Sequence, residues 1–253
     1  MIRGVVTALL TAAALAALAA PAAAAPPLDT ARTLLAHYHL DSRQLEQARE
    51  VLEAALQRET DANVATALAQ TWFLIGEFRS RTDDARITAY ENGREIGRRA
   101  ISLAPNNEAA HVWYALNSGR VAETRGLTRA ATMVPTLRQE AETILKLNPD
   151  SVDGHTLAGG LAAELPVVLG GDRRRAEQHF RKALQADPRR TWTRIELARL
   201  YIATRRYGEA AHELQTVVDE PAATDLPYWM LRDLPRARAL LDSIGGRERR
   251  ESP

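Results

Sequence analysis

Six histidines (His37, His39, His111, His155, His179 and His212) are the residues best suited to metal or proton chemistry in a chain of 253 residues that has no cysteine. A thiolate nucleophile, a disulfide and a cysteine-built zinc site are excluded at once. His37 and His39 lie two residues apart, a spacing that turns about 200° along a helix and points them away from each other. Ala211-His212-Glu213 lacks the second histidine of a zinc-protease helix. Gly170-Gly171-Asp172 shares only its glycines with a phosphate-cradling loop. Asp172 stands directly ahead of an apolar-periodic segment, where its carboxylate caps free helix amides while the glycines supply the bend. No Ser–His–Asp cue, nucleotide loop or zinc motif is present. The expectation is a non-enzymatic protein with no cofactor and no metal.

The elements that would carry any site follow from a recurring pattern. A small or apolar residue is followed four and seven residues later by apolar residues, and five further on by proline. Ala176, Phe180, Ala183 and Pro188 give it, as do Gly93, Gly97, Ala100 and Pro105, and Leu137, Ala141, Ile144 and Pro149. Ala210, Leu214 and Val217 give it with Pro221 one residue early, and Ala48, Leu52 and Ala55 with Thr60 in the proline position. The i, i+4, i+7 spacing is one face of an α-helix, and the proline ends it. Each such helix has a partner ahead of it; Thr191 to Thr224 makes a complete helix–turn–helix unit. Five copies predict an all-α solenoid of about five helical hairpins over residues 29–244, with a C-terminal capping helix on Ala237, Leu240, Leu241 and Ile244 and a disordered tail over 245–253. The interval between the two helices' small residues grows from Ala198–Ala210 to Gly159–Ala176, Ala115–Leu137 and Ala69–Gly93. Read as loops, these insertions (between Phe78 and Tyr90, between Glu123 and Thr136, and at Leu165 to Gly171) would project from one edge.

The unit resembles the tetratricopeptide repeat, with Leu197, Ala198, Tyr201, Tyr207, Ala210, Leu214 and Val217 at its signature positions. The stretch Tyr90-Glu-Asn-Gly-Arg-Glu-Ile-Gly-Arg-Arg-Ala-Ile-Ser-Leu-Ala-Pro105, with Ala110-His-Val-Trp-Tyr-Ala-Leu-Asn117 and Leu165-Pro-Val-Val-Leu-Gly-Gly-Asp172, resembles the T-component family of tripartite ATP-independent periplasmic (TRAP) transporters. It is similar, more weakly, to the eukaryotic regulators of microtubule dynamics. The first resemblance implies a periplasmic helical protomer; its members trimerise, enclose a channel and engage a solute-binding partner. They are lipoproteins, and this chain lacks the lipid-bearing cysteine. In the repeat class the first helices line the concave face by resemblance. Trp72, Trp113, Asn117, Arg120, Glu164, Trp192 and Arg199 fall on first helices and are the expected partner-binding residues, aromatic and arginine side chains being favoured at binding hot spots. Tryptophan also fills a core position in such repeats, which competes with that role. The partner is expected to be a protein or extended peptide; the alternative is an accessory transport component whose groove or channel handles a small organic ligand.

The N-terminus sets the expected compartment. Met1-Ile2-Arg3, an uncharged run from Gly4 to Ala20 and small residues through Ala25 have the layout of a secretory signal, with cleavage expected near Ala24. Residues 1–24 would then be removed and a soluble periplasmic protein released; the competing reading is an uncleaved membrane anchor, since the uncharged run is almost long enough to span a bilayer. Arg3 is their one charge, so removal takes the formal net charge from +1 to zero. A balanced chain has no broad field for nucleic acid. Arg173-Arg174-Arg175 reads as a solvated helix start and the basic cluster between Arg247 and Arg250 as part of the tail.

Overall fold

A computed structural model describes residues 26–251. The expected signal over 1–24 lies outside the described residues. Among the described residues there is no strand, and the helices follow one another as antiparallel hairpins: α1 (Pro27–His37) with α2 (Gln44–Arg58), α3 (Ala62–Phe78) with α4 (Asp83–Leu103), α5 (Glu108–Arg125) with α6 (Leu127–Leu147), α7 (Val152–Glu164) with α8 (Arg173–Ala186), and α9 (Thr191–Ala203) with α10 (Tyr207–Val218). A short α11 (Leu226–Tyr228), a π-helical turn (Trp229–Asp233) and α12 (Leu234–Glu251) complete the chain. None of these helices is long and apolar enough to cross a membrane.

The repeat pattern is the core. Ala176, Phe180 and Ala183 are completely buried, as are Ala210, Leu214 and Val217, and Gly93, Gly97, Ala100, Leu137, Ala141 and Ile144 are buried too. In α2 the buried face is Ala48, Leu52 and Leu56, while Ala55 is only half-buried. α12 packs on α10 through Ala237 and Ile244 and caps the array. It continues to Glu251, past the expected end at residue 244, because Gly245 and Gly246 precede helix-forming Arg and Glu and no proline intervenes before Pro253.

A polar clamp recurs at the join between units. His111 Nε2 reaches the Pro105 carbonyl (2.9 Å) and its Nδ1 reaches Glu140 (2.6 Å). Arg194 donates to the Pro188 carbonyl (2.7 Å) and to Glu213 (2.6 Å). His155 Nε2 reaches the Pro149 carbonyl (3.0 Å), but its Nδ1 meets His179 Nδ1 (3.0 Å) where the other units place a carboxylate. Each clamp satisfies the carbonyl of the proline in the turn just beyond the helix.

The insertions depart from the loop expectation in two units out of three. The residues between Phe78 and Tyr90 lengthen α4, which starts at Asp83 under a Thr82 cap (Thr82 Oγ1 accepts from Ala85 N–H, 3.2 Å). Those between Glu123 and Thr136 lengthen α5 and α6, which meet at Gly126 (φ +89°). Both stretches are rich in residues that keep helical periodicity, so added length became helix. At 165–172 alone the extra residues form a true loop, built around a 3₁₀ turn (Val167–Leu169). Asp172 caps α8 as expected, accepting from the N–H groups of Arg174 (2.9 Å) and Arg175 (3.1 Å).

Candidate partner-binding face

The inner face of the array is formed by the first helices, with α1 packed on α3, α3 on α5, and α7 on α9. Phe73 of α3 lies at the centre of an aromatic cluster there. Its ring is 5.6 Å from Trp113, 6.0 Å from Tyr90 and 6.4 Å from Trp192. Tyr228 stacks on Trp192 at 5.7 Å and meets Phe78 edge-on at 5.4 Å, and it is buried. Tyr228 belongs to the C-terminal segment, so the chain turns back after α10 and fills the N-terminal part of its own groove. The space left between Phe73, Trp113, Trp192, Tyr228 and Asp233 is about 20 Å³, enough for about one water.

A buried carboxylate fastens this closure. Glu77 of α3 has a side chain only 7% exposed, and it pairs with Arg120 Nε (3.0 Å) and with Arg232. The hydroxyls of Tyr90 (2.6 Å) and Tyr228 (3.3 Å) donate to it as well. Asp233 sits beside them, 2% exposed, and accepts a hydrogen bond from the Thr191 hydroxyl (2.7 Å). Burial pushes the Asp233 carboxyl up to about 6 and raises Asp225 as well.

The expected partner-binding residues are distributed unevenly over this arrangement. Trp113 and Trp192 belong to the closed aromatic cluster and are half-buried by the chain itself. Trp72 packs against the edge of that cluster and also reaches the second helices. It floors an outer groove between α2 and α4, under the Arg49 guanidinium (5.5 Å) and beside Glu53, Asn92 and Arg99. Asn117 is corrected outright: it is completely buried, and its amide donates to the Ala69 (3.1 Å) and Trp113 (2.8 Å) carbonyls, locking α5 to α3. No partner could reach it. Arg120 is spent on Glu77 and Glu123. Glu164 and Arg199 stay accessible, with side chains 66% and 39% exposed, and pair with each other at 3.0 Å across α7 and α9. Arg199 also holds Glu196 (2.6 Å), which faces Arg236 of α12. With Glu123, 69% exposed, these residues make a ladder of paired charges along the open half of the inner face.

Glu77, Tyr228, Arg232 and Asp233 were not among the residues expected at the site. Glu77 had a signal, being the one charge in the apolar run Trp72-Phe-Leu-Ile-Gly-Glu77-Phe. Tyr228 and Arg232 had none. Among the described residues, no group of three or more His, Asp or Glu is placed to hold a metal.

Residues 28–164 match the family model described as Regulator of microtubule dynamics protein 1-3, and residues 169–234 match a tetratricopeptide repeat model. Regulator of microtubule dynamics protein 3 of Rattus norvegicus is 24% identical over 95 residues, covering 38% of this chain and 20% of that protein. The Mus musculus protein of the same name is 23% identical over 154 residues, covering 52% of this chain and 33% of that protein. The chain thus spans a fifth to a third of the length of these curated relatives. A thermophilic TPR protein of Thermus thermophilus superposes with a TM-score of 0.65 at 18% identity, over 87% of this chain and 98% of that one, and shows the shared fold.

Proposed function

The chain belongs to the family of regulator of microtubule dynamics proteins 1-3 through its residues 28–164, and on that premise we propose that it is a non-enzymatic scaffold, exported to the periplasm, that binds a protein or extended peptide partner. The tetratricopeptide architecture carries the protein-interaction role. Microtubule regulation is named for relatives of which this chain spans a third at most, so the partner's chemistry is taken from the surface. The observation that supports a site is the charge ladder Glu123, Glu164, Arg199, Glu196 and Arg236 on the open half of the inner face. Of these, Glu123, Glu164 and Arg199 are the accessible charges, while Glu196 and Arg236 behind them are 16% and 30% exposed; an exposed pair such as Glu164–Arg199 adds little stability but offers register and specificity to a charged partner. The export reading rests on the layout of residues 1–24.

The transport-accessory reading, drawn from the resemblance to TRAP T-components, requires a groove or channel for a small organic ligand. The closure by Tyr228 leaves about 20 Å³ at the centre of the inner face, so a small ligand would have to occupy another site, such as the groove of about 600 Å³ beside Trp72. The test is capture from a periplasmic extract by the full chain and by Arg199→Glu and Glu164→Lys variants. A partner held at the ladder is weakened roughly tenfold or more by each folded single variant. Unchanged capture by both would place the site elsewhere.

A further inference from the structure

Val167, Val168 and Leu169 are consecutive aliphatic residues exposed to 84%, 91% and 47%. They stand on the 3₁₀ turn at the tip of the α7–α8 connection. The tip is rigidly built. The N–H groups of Leu169 and Gly171 donate to the Pro166 carbonyl (2.9 and 3.0 Å), that of Gly170 to Val167 (2.9 Å), and that of Asp172 to Ala162 (2.8 Å). Arg138 of α6 closes the turn by donating to the Leu169 carbonyl. The glycines are required: Gly170 has φ +85°, and a Cβ on Gly171 would lie 1.7 Å from the Leu165 carbonyl oxygen. These bonds satisfy the amides of residues 169–172 and the carbonyls of Pro166, Val167 and Leu169, which lowers the cost of moving that part of the turn out of water.

The surroundings are cationic. Arg138, Arg173, Arg174 and Arg175 are all exposed, and none of the four forms an ion pair among the described residues. Three of them occupy the first turn of α8, which holds no acidic residue. Cations there oppose the helix dipole and weaken the helix, so folding gives no reason for the cluster. Val167 and Val168 stand clear of the surface, outside the cavity of about 340 Å³ that Arg138, Glu142, Leu165 and Arg175 line beside the tip; a soft apolar medium bordered by negative charge fits two such projecting side chains ringed by arginines.

We propose that this tip docks the protein peripherally on an anionic phospholipid bilayer, with Val167, Val168 and Leu169 entering the interface and the four arginines resting against lipid phosphates. This goes beyond the partner-binding role and uses a different surface. The chain's lack of cysteine makes the test local. An environment-sensitive fluorophore is attached to Val168→Cys, or to Glu59→Cys as control, in the full chain. Vesicles are phosphatidylcholine alone or with about a third phosphatidylglycerol. The label at 168 shifts to the blue with the anionic vesicles only, and the label at 59 shifts with neither. Replacing Arg173, Arg174 and Arg175 by Gln weakens apparent vesicle affinity roughly tenfold or more. Three outcomes overturn the proposal: no shift at 168, an equal shift with neutral vesicles, or a shift without vesicles that grows with protein concentration, which would assign the tip to a second copy of the chain.

Discussion

The most informative single contact is the one between His155 and His179. Nε2 of His155 faces the Pro149 carbonyl and so carries the proton; its Nδ1 is then the acceptor, and His179 Nδ1–H donates to it. The accepting ring, His155, must be neutral for this bond, and the two rings cannot both be protonated. Burial lowers the pKa of each; Lys182 lowers both further, with Arg175 acting on His179, while Asp150 and the Pro149 carbonyl act the other way on His155. A base whose folded pKa is lowered binds protons less tightly when folded. Its stabilising contribution is present above the ordinary value of 6.5 and is lost as pH falls through that value toward the lowered one. Thermal unfolding is expected to move to lower temperature between about pH 7 and 5 in part through this pair. In His179→Glu, which restores the carboxylate of the His111–Glu140 and Arg194–Glu213 clamps, that part of the slope should shrink or reverse. An unchanged slope would mean that other groups set it. None of this was legible in the sequence, where the histidines carried no sign of their partners. The clamp appears only when residues six apart (Pro105 and His111, Pro149 and His155, Pro188 and Arg194) are compared across aligned units.

At the scale of elements, close approach of α4 to α5 depends on a small residue opposite an amide. A Cβ on Gly93 would lie 2.2 Å from Asn117 Oδ1, and Asn117 cannot swing aside without giving up its bonds to Ala69 and Trp113. Gly93→Ala is therefore expected to destabilise the fold by about 1–3 kcal/mol. Asn117→Ala removes the lock and costs a similar amount, about 1–3 kcal/mol. The double variant should be less destabilised than the sum, because the smaller side chain makes room for the added methyl. Strict additivity in chemical denaturation would contradict this contact. Gly93 was already readable as a packing position, since Gly93, Gly97 and Ala100 repeat at i, i+4 and i+7 and the proline at 105 ends the helix. The hairpin count followed from the same pattern. The lengthened arms did not, because Asp83-Asp-Ala-Arg-Ile87 and the residues between Glu123 and Thr136 fall outside the repeat signature and looked like loop. Helix propensity and neighbouring arms of equal length decided in favour of helix, even through Pro135, which removes one internal bond of α6.

On the scale of the whole molecule, an open solenoid has become a closed one, and a single carboxylate is central to the closure. Glu77 and Tyr228 are 151 residues apart in sequence, and their meeting depends on how five hairpins curve together. Local periodicity carries no information about that sum of small rotations, so the inner face read as open. Glu77 stands between the Arg120 and Arg232 guanidinium groups, whose side chains are 17% and 21% exposed. Replacing it with Gln keeps the shape and the acceptor oxygen for Tyr90 but leaves two largely buried cations facing each other. Removing one partner of a buried pair costs about 3–5 kcal/mol, and the partial exposure of the arginines places the expected loss near the lower end, at about 3 kcal/mol. The loss should be local before it is global. The segment carrying Tyr228 is held by that carboxylate, by Trp192 and Phe78, and by the bond from Trp229 Nε1 to the Val217 carbonyl (2.8 Å). With the carboxylate gone, amides of residues 224–233 should exchange faster than those of α8–α10, whose Ala176, Phe180, Ala198 and Leu214 core does not touch Glu77. Trp192 and Trp113, covered by Tyr228 in the closed form, should then become accessible to quenchers. If Glu77→Gln unfolds as one unit with no early exchange in 224–233, the closure is an inseparable part of the core and Glu77 does not control it.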